Sequence, residues 1–321
     1  MQKRYFFVGI VISLSFLFFA FRKIDFNILK NTFFSARWQY FFYAIVVTII
    51  SLIIRSIRWM FIIDKKEVRN IFHLFESTCV GLMANNILPL RLGDLVQAFF
   101  LGYRKNISKS FIFSTVLIER VLDFIVPIMC LFVMSLFCTL PIFFINRWRD
   151  LLITFLVLST MFVLFLILLR KILPQEYSRL NTVEQRIVSV VKNFLEAFKV
   201  KKSTTIVIVL ILTLMLWISY VTCAYVLLPS VNIKPLVFTA IVVNLAAAIS
   251  VAIPSAPGYL GNWEFFVSLG LREVASVSYS QALSFAIIYH ISQYIPVTLL
   301  GLFFLTRTGV KIHELKKLKN T

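Results

Sequence analysis

The chain has 321 residues, of which 60% are hydrophobic and 34 are phenylalanine. This composition predicts an all-α polytopic membrane protein with a single integral membrane domain over residues 1–321. Lysine and arginine number 33 against 14 acidic residues, but the basic residues lie at the ends of apolar segments, where they meet lipid headgroups. Nucleic-acid binding is therefore excluded. The 4 cysteines form no CxxC pair and the 3 histidines have no ligand spacing, so we expect no metal and no cofactor.

Apolar runs divide the chain into about six transmembrane helices and two broken hairpins, about eight membrane segments in all. The predicted spans are 5–21, 40–63, 110–137, 151–169, 205–228 and 282–305. The predicted hairpins are 72–88 with 95–102, and 236–253 with 263–272. Loop parity gives the two hairpins opposite orientations, which resembles an inverted pair of broken helices. Parity leaves open whether each hairpin is re-entrant or makes two short crossings.

Formal charges interrupt the apolar sequence around the first hairpin. They are Arg91, Asp94, Glu119, Arg120 and Asp123. At a rise of about 1.5 Å per residue, the last three lie roughly 14 to 20 Å beyond the start of their span, near the bilayer midplane. Arg120 and Asp123 are spaced to pair along the helix, whereas Glu119 and Asp123 repel each other, so a further cation is needed.

Arg91 in the preceding loop is the first candidate for that cation, with Arg55 or Arg58 in reserve. Arg55 and Arg58 share one helical face near the end of their span, and extension of their side chains to the headgroups is the favoured interpretation. The charges themselves have two interpretations. One is an ion network that holds helices together. The other is an anion site, in which guanidinium groups hold a phosphate and the half-helix after Gly93 adds its dipole.

The second loop has the same ingredients as the first. Gly258 and Gly261 allow a tight backbone path, and Asn262 can cap the helix that follows. Glu264 lies in the first turn of that helix, where it either complements the helix dipole or contacts a substrate. Trp263 is interpreted first as an aromatic-belt residue and second as part of a lipid pathway.

The segment 170–202 is the one sizeable polar stretch, and it carries eight lysine and arginine residues. Apolar residues recur in it with helical period, which predicts an amphipathic helix from about 182 to 198 on the membrane surface. The bias of basic residues places this segment, the N-terminus and the C-terminus in the cytoplasm of a multi-pass cell-membrane protein. The connection 229–235 falls outside.

These motifs resemble those of the lysylphosphatidylglycerol synthase transmembrane-region family, also called flippase-like membrane proteins. The matching residues are Pro89, Arg91, Gly93, Asp94, Glu119, Arg120, Asp123, Pro257, Gly258, Gly261 and Glu264. The first loop of the family usually reads Pro-x-Arg-x-Gly-Glu, often with an arginine three residues later. Here Asp94 replaces the glutamate and Gln97 occupies the arginine position. Fused members carry an aminoacyl-transfer domain, and its absence from this sequence implies lipid translocation and not lipid aminoacylation.

The leading functional hypothesis is therefore a non-enzymatic flippase whose partners are membrane lipids with anionic headgroups. Its substrate is a phospholipid, aminoacylated or not, or a polyprenyl-phosphate-linked glycolipid. The predicted substrate-binding residues are Arg91, Asp94, Glu119, Arg120, Asp123, Gly258 and Glu264. The sequence contains no Walker A motif, so ATP does not drive the transport unless a partner supplies it. The alternatives are a membrane-embedded transferase that acts on a lipid phosphate, using Glu119 and Asp123 as acid and base, and a non-transporting scaffold.

Overall fold

A computed structural model describes residues 14–22, 26–63, 65–68, 70–88, 92–137, 168, 182–197, 202–253 and 256–308. Within these ranges every regular element is helical, as the composition predicts. The helices, numbered along the described chain, are α1 (14–21), α2 (Phe26–Phe34), α3 (Trp38–Ile63), α4 (Ile71–Ile87), α5 (Gly93–Lys105), α6 (Lys109–Phe137), α7 (Thr182–Glu196), α8 (Ser203–Leu227), α9 (Val237–Ala252), α10 (Asn262–Val274) and α11 (Tyr279–Arg307).

Three of the described helices are long and apolar enough to cross a membrane. They are α3, α8 with the 3-10 turn that follows it, and α11. Helix α9 is apolar but shorter, and α6 has 29 residues but carries four charged residues. The helical membrane class is thus confirmed, whereas the number of segments is not. The predicted span 151–169 and most of the span 5–21 lie outside the described residues.

The described helices form two halves with the same plan. Helices α3 to α6 have 26, 17, 13 and 29 residues, and α8 to α11 have 25, 16, 13 and 29. Each half is a long helix, a hairpin of two short helices and a second long helix. Both predicted breaks are present. Helix α5 is longer than the predicted segment 95–102, because Gly93 and Asp94 already belong to it and Asn106 ends it in a left-handed conformation.

The first helices of the two halves pack against each other in antiparallel fashion. Near one end of α3, the Cys223 thiol approaches the backbone oxygen of Ala44. Near the other end, Arg58 contacts Thr213, which lies earlier in α8. Helix α4 likewise runs antiparallel to α11. Because equivalent helices run in opposite directions, the second half is inverted relative to the first.

Small residues hold each hairpin tightly closed. A Cβ atom added to Gly93 of α5 would lie 2.1 Å from the backbone oxygen of Gly81 in α4, so no side chain fits there. In the second hairpin a Cβ atom on Gly270 would lie 2.9 Å from the Cβ atom of Ala246. Such close backbone approach is typical of helix pairs in membranes. The two helices of each hairpin are therefore held in close contact.

The predicted amphipathic helix is present as α7, which agrees with the predicted range 182–198 at its N-terminal end. Its C-terminal end packs on the first half: Leu195 and Ala197 are buried, and Glu196 lies 3.6 Å from the Lys65 ammonium. Ile187 on the same helix is 59% exposed. An exposed apolar face beside basic sequence is the property expected of a helix that lies on a lipid surface.

Candidate functional site

The first hairpin fixes the position of one carboxylate. The Asn85 side-chain oxygen accepts a hydrogen bond of 2.8 Å from the Gly93 N–H, which satisfies a free donor at the start of α5. Asp94 follows in the first turn, where a negative charge complements the helix dipole. Its two oxygens accept hydrogen bonds of 2.8 and 3.1 Å from Nη2 and Nε of Arg120 in α6. This two-point geometry gives the strongest form of arginine–carboxylate pair.

Helix α3 supplies the two other arginines. Arg58 donates from Nη1 to Asp123 at 2.8 Å and from Nη2 to Glu119 at 3.2 Å. It therefore lies between two carboxylates of α6 that repel each other. Arg55 donates to the second oxygen of Asp123 at 3.0 Å and to the Tyr220 hydroxyl at 3.0 Å. The predicted need for a further cation is thus met by α3.

The interpretation that Arg55 and Arg58 extend to the headgroups is wrong. Both residues are buried, with 6% and 0% of their surface exposed. Their guanidinium groups turn inward because the carboxylates of α6 compensate their charge, whereas unpaired charges would cost about 2.5 to 3.5 kcal/mol each on insertion scales. The cations that pair with Glu119 and Asp123 are therefore the two reserve candidates, Arg55 and Arg58. Arg91, the first candidate, lies outside the described residues, as does Pro89.

Six charged side chains form one connected charge network. Its members are Arg55, Arg58, Asp94, Glu119, Arg120 and Asp123. Three arginines face three carboxylates, so the formal charges cancel. A buried network of this kind is tolerated only when each charge is paired. Replacement of a single member consequently leaves a partner uncompensated.

The charge network is closed on one side and partly open on the other. The side chains of Arg58 and Glu119 have no exposed surface. By contrast, the side chains of Arg120 and Asp94 are each 19% exposed, and that of Asp123 is 15% exposed. The partly open side includes Asp94, which lies in the first turn of α5, and its partner Arg120.

The second hairpin builds a smaller pair in the equivalent place. Oε2 of Glu264 accepts a 2.7 Å hydrogen bond from the Gly261 N–H at the start of α10. Oε1 of Glu264 lies 2.6 Å from Nδ1 of His290 in α11. The Trp263 ring stacks on the imidazole, with centroids 5.0 Å apart. Sequence reasoning missed His290, although its separation of 26 residues from Glu264 equals that between Asp94 and Arg120.

The described part of the second hairpin turn contacts the end of α4. The Tyr294 hydroxyl of α11 donates to the backbone oxygen of Asn86 at 3.4 Å. A Cβ atom on Gly258 would lie 2.6 Å from the Tyr294 ring and 3.2 Å from the same Asn86 oxygen. Gly258 is needed there for space and for its φ of +71°. It therefore joins the second turn to the end of α4 and does not present a functional group itself.

A separate ion pair closes the opposite end of the first hairpin. Arg104 near the end of α5 pairs with the buried Glu76 of α4. His73 contacts the same carboxylate, with Nδ1 and Oε2 3.3 Å apart. This cluster connects the outer ends of the hairpin helices and lies apart from the charge network. It gives the chain a second histidine–glutamate contact for comparison.

Comparisons with known proteins show which family the sequence resembles. The family described as "Lysylphosphatidylglycerol synthase TM region" matches residues 6–301. "UPF0104 membrane protein MJ1078" of Methanocaldococcus jannaschii is 26% identical over 246 residues, which covers 74% of this chain and 99% of that protein. "UPF0104 membrane protein MJ1595" of the same organism is 28% identical over 59% of this chain and 63% of its own length.

A third relative comes from another archaeon. "UPF0104 membrane protein PH1989" of Pyrococcus horikoshii is 22% identical over 73% of this chain and 78% of its own length. No solved structure matches. The family match extends over both halves of the fold, including the charge network and the second pair. The chain therefore belongs to the lysylphosphatidylglycerol synthase transmembrane-region family.

Proposed function

We propose that this protein translocates a membrane lipid with a phosphate-containing headgroup, and that the open side of the charge network binds the phosphate. The observation that carries the proposal is the difference in exposure between the Arg58–Glu119 pair and the Arg120–Asp94 pair. A structural network has no need of an accessible side, whereas a binding site does. The closed side holds the helices together, and the open side is available to a ligand.

Asp94 occupies the place that a phosphate would take. Its carboxylate makes two hydrogen bonds to the Arg120 guanidinium and lies at the N-terminus of α5, where a helix favours an anion. A lipid phosphate offers the same two-oxygen face to an arginine. Phosphate and Asp94 are thus alternative partners of Arg120, and a bound phosphate displaces the Asp94 carboxylate from the guanidinium group.

Displacement of Asp94 also frees a carboxylate close to the bound phosphate. A headgroup that carries an ammonium group next to its phosphate can pair with both Arg120 and Asp94, and it brings no net charge into the site. The substrates that fit best are therefore zwitterionic and aminoacylated phospholipids. Purely anionic phospholipids and polyprenyl-phosphate-linked lipids fit less well, because they can pair with Arg120 but not with Asp94.

Purified protein in vesicles tests the proposal. Each vesicle preparation contains one fluorescent lipid in both leaflets, and a reductant added outside bleaches only the outer leaflet. We expect the wild-type protein to bring the inner-leaflet lipid within reach of the reductant faster than protein-free vesicles do. The rate should be highest for zwitterionic and aminoacylated headgroups. A wild-type rate equal to that of protein-free vesicles for every headgroup would refute translocation.

The proposed orientation places the protein in the cell membrane with both termini and α7 on the cytoplasmic side. Lys192 of α7 and Lys234 before α9 offer a matched pair of reporters on the predicted opposite sides. In a background without native cysteines, we expect Lys234→Cys and not Lys192→Cys to react with an impermeant maleimide on intact cells. Labelling of Lys192→Cys alone would invert the proposed topology.

A further inference from the structure

The two halves of the fold carry the same acid–base arrangement. In each half a carboxylate in the first turn of the second hairpin helix pairs with a nitrogen base on the following long helix. The bases are the twelfth residues of their 29-residue helices, Arg120 counted from Lys109 and His290 counted from Tyr279. Two inverted halves therefore place an arginine and a histidine at equivalent positions.

The two bases differ in one chemical property. A guanidinium group keeps its charge throughout the accessible pH range, whereas an imidazole gains and loses a proton near neutral pH. When His290 is protonated, the pair that it forms with Glu264 is neutral overall. When it is not, the pair carries one negative charge. The pair of His290 with Glu264 thus contains a base that is able to release a proton, and the pair of Arg120 with Asp94 does not.

The surroundings of the pair restrict what else can compensate this charge. The His290 ring contacts Trp263 on one face and the edge of Tyr294, and Tyr289 packs against Trp263. Tyr259 of the second turn packs in the same apolar cluster, as does the Cys223 thiol of α8. Within the described residues no lysine or arginine forms an ion pair with Glu264.

The pair is also connected to the site proposed for the lipid. Tyr294 lies one helical turn beyond His290 on α11 and contacts both Gly258 and the backbone of Asn86. Asn86 follows Asn85, which holds the start of α5 and hence the position of Asp94. Three consecutive contacts thus connect the pair to the start of α5.

We propose that His290 and Glu264 bind one proton in each transport cycle, and that this proton couples lipid movement to a proton gradient. The proposal rests on the proposed translocation and adds its energy source. Protonation neutralises the pair and stabilises its closed geometry. Loss of the proton leaves a buried carboxylate without a cation, which favours a rearrangement of the second turn. The two protonation states thus correspond to two states of the turns.

Vesicles with a pH difference across the membrane test the coupling, with the membrane potential clamped by potassium and an ionophore. With one proton per lipid, one pH unit is worth about a tenfold ratio of labelled lipid between the leaflets at steady state. We expect this ratio for the wild-type protein. His290→Arg keeps a cation beside Glu264 but cannot release it, so the ratio should fall to that seen without a gradient.

His73→Gln is the matched control, because His73 also contacts a glutamate but lies at the far end of the first hairpin. This variant should keep the wild-type ratio. A gradient response that survives in His290→Arg overturns the coupling, as does an equal leaflet distribution for the wild type despite lipid transfer. No lipid transfer by the wild type counts against the proposed function instead.

The proton site can also be tested without a transport measurement. This second test applies if the wild type transfers no lipid or if His290→Arg fails to fold. The histidines of the full-length protein in detergent are labelled with ¹⁵N, and the signal of His290 is assigned as the one lost in His290→Gln. We expect its ring nitrogen shifts to differ between the two pH values used for the vesicles. Identical shifts at both values would mean that the pair binds no proton, and the proposal would fail.

Discussion

Replacing Arg120 with glutamine should reduce lipid translocation by about 10²- to 10⁴-fold while folded protein remains in the membrane. The variant loses two charge-assisted hydrogen bonds to the bound phosphate, and hydrogen bonds to charged groups contribute about 1.5 to 3 kcal/mol each. Asp94 stays partly exposed and keeps a contact with Asn85, so its uncompensated charge is less costly than that of a fully buried group. The vesicle assay gives the rate, and size-exclusion chromatography in detergent gives the amount of folded protein.

The double variant Arg120→Gln with Asp94→Asn separates a binding role from a structural one. It removes the pair without leaving a charge, so the amount of folded protein should equal that of the wild type in either case. Translocation should stay low if Arg120 binds the lipid phosphate. Recovery of transport in the double variant would show that the pair only holds helices together. Arg272→Gln, an exposed arginine at the end of α10, should behave as the wild type.

Replacing Arg58 with glutamine should remove most of the folded protein. Its guanidinium group has no exposed surface and is the cation between Glu119 and Asp123, which repel each other when it is absent. Removal of one partner from a buried ion pair typically costs about 3 to 5 kcal/mol, a large part of the stability of a domain. The yield of monodisperse protein and the unfolding temperature in detergent measure this loss.

Two further variants check the explanation for Arg58. Addition of Glu119→Gln to Arg58→Gln removes the carboxylate that has no other described partner, so part of the folded yield should return. Arg55→Gln should cost less than Arg58→Gln, because Asp123 still pairs with Arg58 and Arg120. An unfolding temperature of Arg58→Gln equal to that of the wild type would contradict the structural role of the closed side.

The helices and their breaks were predictable because their causes are local. Apolar runs, Pro89, Gly93, Pro254 and Gly258 lie within the segments that they shape, and the charges near position 120 are visible against an apolar background. The hairpin turns were found for the same reason. Helix α5 was predicted too short because its first residues are held by Asn85, a contact from a neighbouring helix.

Partner choice was the part that the sequence alone did not determine. Arg55 and Arg58 lie near the end of an apolar span, a position that suits headgroup contact equally well, and only the packing of α3 on α6 turns them inward. His290 has no metal-ligand spacing to other residues, so no local pattern marks it as a functional residue. Its role depends on the equivalence of two halves, which a comparison of the spacing of acidic and basic residues within the chain would have revealed.

The inverted halves have a mechanical consequence. Two copies of one unit that face opposite directions can exchange conformations, and each copy in turn then opens its own side of the membrane. In this chain the two halves are not energetically equal. Among the described residues, six charged side chains form ion pairs in the first half, whereas Glu264 and His290 form the corresponding pair in the second half. Separating helices in the first half requires breaking several ion pairs, while the second half has one pair to break. Under the proposed function, the half that contains α10 and α11 is thus the half whose described helices separate more easily.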